Sequence, residues 1–286
     1  MTIRTVLATV RGDGKGEGVL DHVLALSGPF NAHIHVVHCR ARAEDMLPYS
    51  TVITAGMRET ILQSALTAAA EEETRVKKLF MDYLENHDVT LIDTPPAPSG
   101  MASASWHEIE GRQSNVVAVR GRLADVIAVA QPDNGGLGHA TLEAALLETG
   151  KLVLMCPPTP VTTIGKHPCF GWNGSAESAR AISAAMPLIE NAETVTILTA
   201  PEGMEDKLTI EDLTEHLGWH DIKVNVQTLN VGANSVGQAL LDETKAVGGD
   251  VLVIGGYGHS RRRELVMGGV TRHIIENTDL PVLMVH

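Results

Sequence analysis

Gly249-Asp250-Val251-Leu252-Val253-Ile254 is the stretch on which the fold turns. Four consecutive apolar residues with no polar alternation mark a strand covered by helices on both faces, and such strands belong to parallel sheets. The pattern also occurs earlier, as Ala124-Asp125-Val126-Ile127-Ala128-Val129. Each copy is followed by a helical pattern, residues 142–147 in one case and 270–275 in the other, and then by a second apolar strand, Val153-Leu154-Met155 or Val282-Leu283-Met284. Asp125 precedes Val153 by 28 residues and Asp250 precedes Val282 by 32, so a strand–helix–strand unit is repeated at nearly constant spacing.

Working outward, 286 residues suit two α/β units of about 140 each. Both halves read as strand, helix, strand, a variable helical stretch, strand, helix, strand, helix, strand. The expected fold class is therefore α/β, with two doubly wound parallel-sheet, Rossmann-like domains in tandem. The first half opens with a strand over residues 5–10 and the second with one over 168–172. Between them, Pro157-Pro158-Thr159-Pro160 favours an extended connection, giving domains 1–158 and 161–286. The first half also carries a long helix over 56–86, rich in alanine, and a Pro/Ser/Ala-rich stretch over 94–105 that reads as a loop. Each half ends in a short apolar strand, 152–156 and 281–285, whose edge needs a cover.

Net charge is −13 and is shared by both halves, −6 over residues 1–160 and −7 over 161–286. An acidic surface throughout argues against nucleic acid or an anionic membrane as partner. Three cysteines, Cys39, Cys156 and Cys169, without Cys-x-x-Cys spacing, read as buried thiols of a reducing, cytoplasmic compartment. The N-terminus lacks the features of a signal peptide, and no apolar run reaches the roughly 18 residues of a membrane span.

The segment from Gly255 to Thr271 begins where a strand ends and finishes where a helix begins. Glycines let backbone amides approach a ligand, and a helix N-terminus presents unpaired N–H groups, so together they can cradle phosphate. Gly255, Gly256 and Gly258 lie at its start, His259, Ser260 and Arg261 follow, and Gly268, Gly269, Val270 and Thr271 lie at its end. With Arg262 and Arg263 also inside it, an anionic ligand is the natural inference; the plainer reading is that the glycines only shape a turn and start a helix.

Glycine, two residues, glycine, nine residues, glycine and a small residue resembles the nucleotide-binding signature of the universal stress protein family, with Gly255, Gly258, Gly268 and Gly269 in register. Residues 170–181 also resemble the first strand, turn and helix of that family. The resemblance is strong over 167–286 and weaker over 1–156, where the glycine signature is missing. It implies an adenine nucleotide α-hydrolase-like variant of the Rossmann fold. It further implies ATP or a related adenine nucleotide in the second domain, held by Asn173, Gly174, Ser175 and Thr199 together with the glycine segment, in a stress-response module that is not an enzyme. Asn173 stands where the family's ATP binders usually carry an aspartate, and Gly269 where they carry a hydroxyl. The resemblance also implies that the two terminal strands pair within one chain as a pseudo-dimer, with a further homodimer open. Two alternatives stay open beside it: a nucleotide-independent scaffold or small-ligand module, and a weak ATP hydrolase.

In the first half Arg11 takes the aspartate's place and residues 131–138 the glycine loop's, where Pro132 and the shortened spacing break the cradle. The glycines of 12–18 miss the third position of a dinucleotide fingerprint and read as a turn before a helix. His33, His35 and Cys39 fall on one face of a strand, where packed histidines are a commoner outcome than a metal site, and no metal is expected. Trp106-His107-Glu108 is read as lying near a loop, its tryptophan helping to close the core.

Overall fold

The computed structural model describes all residues except 1, 41, 43–53, 98–99, 134–135, 137, 201–207, 233–234 and 257–267. In the first half the strands are β1 (Thr5–Val10), β2 (His33–Arg40), β3 (Thr90–Leu91), β4 (Ser103–Glu110), β5 (Val126–Ala130) and β6 (Leu152–Cys156). Its helices are α1 (Gly16–Ser27), α2 (Ala55–Asn86), α3 (Gln113–Arg120) and α4 (His139–Glu148). The second half has strands β7 (Pro168–Trp172), β8 (Thr196–Thr199), β9 (Asn225–Thr228), β10 (Val251–Gly255) and β11 (Val282–Val285). Its helices are α5 (Ala176–Ala184), α6 (Met186–Asn191), α7 (Ile210–Gly218), α8 (Val236–Ala246) and α9 (Gly269–Asn277).

All of the strands join one sheet in the order β3-β4-β2-β1-β5-β6-β11-β10-β7-β8-β9. Each half is parallel and doubly wound: the chain leaves β1 for β2 on one side and returns to β5 on the other, and does the same from β7 to β8 and back to β10. The two halves meet at β6 and β11, which pair antiparallel with Leu154 opposite Leu283. This supplies the cover that both apolar terminal strands need. Helices shield both faces, so two buried clusters form, one on each side of the sheet. Each runs through both halves, one holding Val36, Phe80, Leu154, Phe170 and Leu283, the other Leu7, Ile127, Met155, Leu252 and Met284.

The aspartate in each copy of the repeat has a shared structural cause. Asp125 Oδ2 accepts the N–H groups of Arg4 and Thr5 at 2.8 and 2.9 Å, ordering the approach to β1. Asp250 accepts three, from Gly165 at 3.1 Å, Lys166 at 2.8 Å and His167 at 3.1 Å, ordering the approach to β7. Asp250→Ala leaves these donors without their acceptor and is expected to cost about 1–3 kcal/mol, read as a lowered urea midpoint with an unchanged slope.

The loop expected over 94–105 ends earlier, because Ser103, Ala104 and Ser105 already belong to β4, paired in register with His33, Ile34 and His35. Trp106-His107-Glu108, read as lying near a loop, belongs to β4, and Trp106 packs on the core as expected, stacked on Phe80 at 5.1 Å and on His38 at 6.0 Å. Small polar residues sit at this position because they face imidazoles across the strand pair rather than an apolar layer.

Candidate functional site

In an open parallel sheet, ligands collect at the C-terminal ends of the strands where the winding reverses. In the second half that point lies between β7 and β10. A cleft of about 180 Å³ opens there, lined on its inner wall by Leu198, Ala200, Leu229, Val236, Leu240 and Ile254. Its polar rim is Asn173, Ser175, Glu177 and Ser178 on one side and Gly268, Gly269 and Thr271 on the other.

The rim on the β7 side is set by a turn. Asn173 Oδ1 accepts the N–H of Ser175 at 3.1 Å, Gly174 takes φ +68°, and the Ser175 hydroxyl caps α5 by accepting the N–H of Ser178 at 3.2 Å. Asn173 is exposed at the mouth, so an uncharged amide occupies this corner. Across the cleft, α9 starts at Gly269 with Gly268 as its cap, and among the described residues no side chain caps its first N–H groups. Gly268, Gly269, Val270 and Thr271 line the cleft here, and helix geometry leaves the first-turn amides without internal acceptors.

The glycines of this region separate into two kinds. A Cβ on Gly255 would stand 2.4 Å from the Glu177 carbonyl carbon and 2.6 Å from its oxygen, so this glycine lets α5 lie against β10. Gly256 is likewise committed to the fold: its N–H donates to the Val285 carbonyl at 2.8 Å, and its carbonyl lies 3.3 Å from His286 Nδ1. Gly255 still lines the cleft, whereas the engagement of the Gly256 amide by Val285 corrects the expectation that it opens to a ligand. Gly268 and Gly269, by contrast, meet nothing within 4 Å among the described residues, and Gly268 has an ordinary φ of −59°. Among the described residues neither packing nor backbone strain asks for glycine there.

Thr199 is also corrected. Its neighbours Leu198 and Ala200 line the cleft, and the two-residue period of a strand turns Thr199 to the other face. There it is buried, with Oγ1 lacking a partner among the described residues, in register with Trp172, whose Nε1 is in the same condition. Asn173, Ser175, Gly255, Gly268, Gly269, Val270 and Thr271 come together around the cleft, with Gly174 in the turn behind Asn173. Gly258, His259, Ser260 and Arg261 lie outside the described residues. The apolar wall and Glu177 were missed from sequence because Leu198, Leu240 and Ile254 look like any core residue. For Leu198 and Ile254 the signal available was their placement one residue from a strand end, at the reversal of the winding; Leu240 lies within α8.

The corresponding place in the first half is closed. Arg11 donates from Nη2 to Thr141 Oγ1 at 2.8 Å and from Nε to Gln113 Oε1, while Lys15 Nζ donates to the Gln131 carbonyl at 2.9 Å and pairs with Asp133. These side chains leave about 20 Å³, room for little more than a water. Burial pushes the Cys39 thiol up to about 11 and Cys169 to about 12, and raises Cys156 as well, so the thiols behave as packing groups. Among the described residues no group of three or more His, Cys, Asp or Glu is arranged to hold a metal ion, and no helix is long and apolar enough to cross a membrane.

Residues 169–286 match the model of the Universal stress protein family. Among solved structures, a universal stress protein from Archaeoglobus fulgidus DSM 4304 superposes with TM-score 0.70 at 13% identity, over 98% of this chain and 97% of that one. A candidate universal stress protein from Pseudomonas aeruginosa UCBPP-PA14 follows with TM-score 0.57 at 15% identity, over 99% and 93%. A functionally unknown protein from Pseudomonas aeruginosa PAO1 has TM-score 0.54 at 13% identity, over 99% and 92%. At these identities the likeness is one of fold. No curated protein sequence matches the chain.

Proposed function

We propose that the chain, whose residues 169–286 match the universal stress protein family, is a cytoplasmic stress-response module that binds one adenine nucleotide, ATP or a relative, in its second half and does not turn it over. The observation that carries this reading is the pair Gly268 and Gly269, where among the described residues no packing contact asks for glycine, at the start of α9 across the cleft from Asn173. On this reading the amides of Gly269 and Val270 take phosphate oxygens. Thr271, one turn into the helix and facing the cleft, supplies the hydroxyl that Gly269 lacks. The apolar wall of Leu198, Leu240 and Ile254 receives the flat face of the base, and Asn173 holds the nucleoside end by hydrogen bonds without charge.

The first half has a different part. With Arg11 and Lys15 occupying the equivalent space and satisfied by internal acceptors, it serves as a structural and regulatory partner that takes no nucleotide. Titration calorimetry of the full chain with ATP, ADP and AMP is expected to give one site per chain. Absence of heat at millimolar nucleotide would remove the reading, and steady release of ADP from ATP would remove its non-catalytic part.

A further inference from the structure

The outer face of β2 and β4 carries a cluster that the nucleotide reading does not use. Ser105 Oγ lies 3.1 Å from His33 Nε2, 3.0 Å from His35 Nδ1 and 2.9 Å from His107 Nε2. His35 Nδ1 and His107 Nε2 are 3.4 Å apart, and His33 Nδ1 reaches Ser103 Oγ at 2.9 Å. The rings of His33 and His35 meet edge to face with centroids 4.6 Å apart. Ser103 and Ser105 are fully buried while the three rings are half-buried, so the cluster sits at the boundary between sheet and solvent.

Its capacity for hydrogen is already full. A hydroxyl has one hydrogen and two acceptor sites, and three neutral imidazoles around it use all of them, two rings donating N–H and one accepting. A proton added to the accepting ring presents a third N–H to an oxygen with no site left, and it places like charges side by side across the β2–β4 pair. Among the described residues no acidic group acts on His33 or His35 to compensate that charge. The charges acting on His35 are His33 and His107, and the one acting on His33 is His107, all of them opposing protonation. Desolvation is the larger cause for both, and it holds His35 down at about 4.

The surrounding elements add no relief. β1 places Thr5 and Leu7 in register with His33 and His35, and β3 places Thr90 opposite Ser103. Asp125, beside Thr5, is engaged by the N–H groups of Arg4 and Thr5. Further along the face come Cys39 with the cationic Arg11, then a hollow by Ile109 lined by Arg42, Arg112 and Arg120 with Glu110.

We propose that this histidine–serine hub is an acid-responsive latch, clamping β4 to β2 while neutral and releasing β4 and β3 when protonated. It is independent of the nucleotide site. Because the folded form favours neutral rings, the hub's contribution is whole above the ordinary imidazole value of 6.5 and is lost as pH falls from there towards about 4.

Hydrogen exchange on the full chain tests it, with β10 as internal reference so that the intrinsic pH dependence of exchange cancels. Between pH 7 and 5 the opening of β4 relative to β10 is expected to rise about tenfold, and His35→Gln, which cannot titrate, to flatten that change. Equal protection of β4 and β10 at both pH values overturns the proposal, as does an identical rise in the variant. Should His35→Gln not fold, ring resonances of the unaltered chain decide. His35 still neutral at pH 5 supports the latch, whereas titration at its ordinary value refutes it.

Discussion

Gly268→Val is expected to fold as well as the parent and to lose at least tenfold in nucleotide affinity, whereas Gly255→Ala is expected to damage the fold itself. The two glycines share a motif but not a cause. A Cβ at Gly268 meets nothing within 4 Å among the described residues and φ −59° suits valine without strain, so the effect on stability is expected to stay within about 0.5 kcal/mol. The same branched side chain stands over the amides that open α9, and a phosphate pushed off them forfeits charge-assisted hydrogen bonds worth more than the about 1.4 kcal/mol of a tenfold change. At Gly255 even one methyl group lies 2.4 Å from the Glu177 backbone, which cannot rotate away as a side chain could. Either α5 lifts from β10 or the strand end shifts, at a cost of about 3 kcal/mol or more. Thermal melts and calorimetry on both variants separate these outcomes. A Gly268→Val protein that binds ATP like the parent would show that the start of α9 is not the phosphate cradle. A Gly255→Ala protein with an unaltered melt would show that the close approach of α5 is not needed.

How far the sequence could be read follows the same division between what a residue type permits and what its neighbours demand. The runs Val126–Ala130 and Val251–Gly255 were legible as covered strands because a parallel sheet leaves no polar face to alternate with. Leu152–Cys156 and Val282–Val285 were legible as edges in need of a partner, for the reason that makes bare strands aggregate. Glycine was less informative. Its missing Cβ serves helix–strand packing at Gly255, whereas among the described residues a Cβ at Gly256, Gly268 or Gly269 would meet nothing closer than 3.7 Å. Thr199 was assigned to the cleft through the family resemblance, and strand parity decided otherwise. The histidine hub was half legible: His33 and His35 share a face by the period of two, but Ser105 and His107 come from a strand 70 residues on whose start looked like loop. Register between distant strands is a tertiary fact, and no local pattern announces it.

Leu283→Ala should destabilise both halves together, not the second half alone. Leu283 and Leu154 face each other across the antiparallel seam, both with no exposed surface, inside the cluster that also holds Phe80 from one half and Phe170 from the other. Removing a buried leucine to alanine costs about 2–5 kcal/mol, toward the upper end where neighbours cannot collapse inward. Here the neighbours are strands of a sheet fixed on both sides, β5 beyond β6 and β10 beyond β11, so collapse is restricted. The halves are further tied by Gln131, whose Nε2 donates to the carbonyls of Ile275 at 2.8 Å and Thr278 at 3.1 Å at the end of α9. With one core on each face of a continuous sheet, melting should be a single transition for the whole chain. Trp106 reports on the first half and Trp172 on the second, so variants keeping one or the other tryptophan allow the two to be followed by fluorescence. In a double-mutant cycle, Leu154→Ala and Leu283→Ala should be coupled by about 0.5–3 kcal/mol, as residues in contact are. A Leu283→Ala chain in which the Trp106 transition stays at its parental temperature while that of Trp172 falls would mean that the seam joins two independent folding units. The first half would then stabilise the second only by covering its edge.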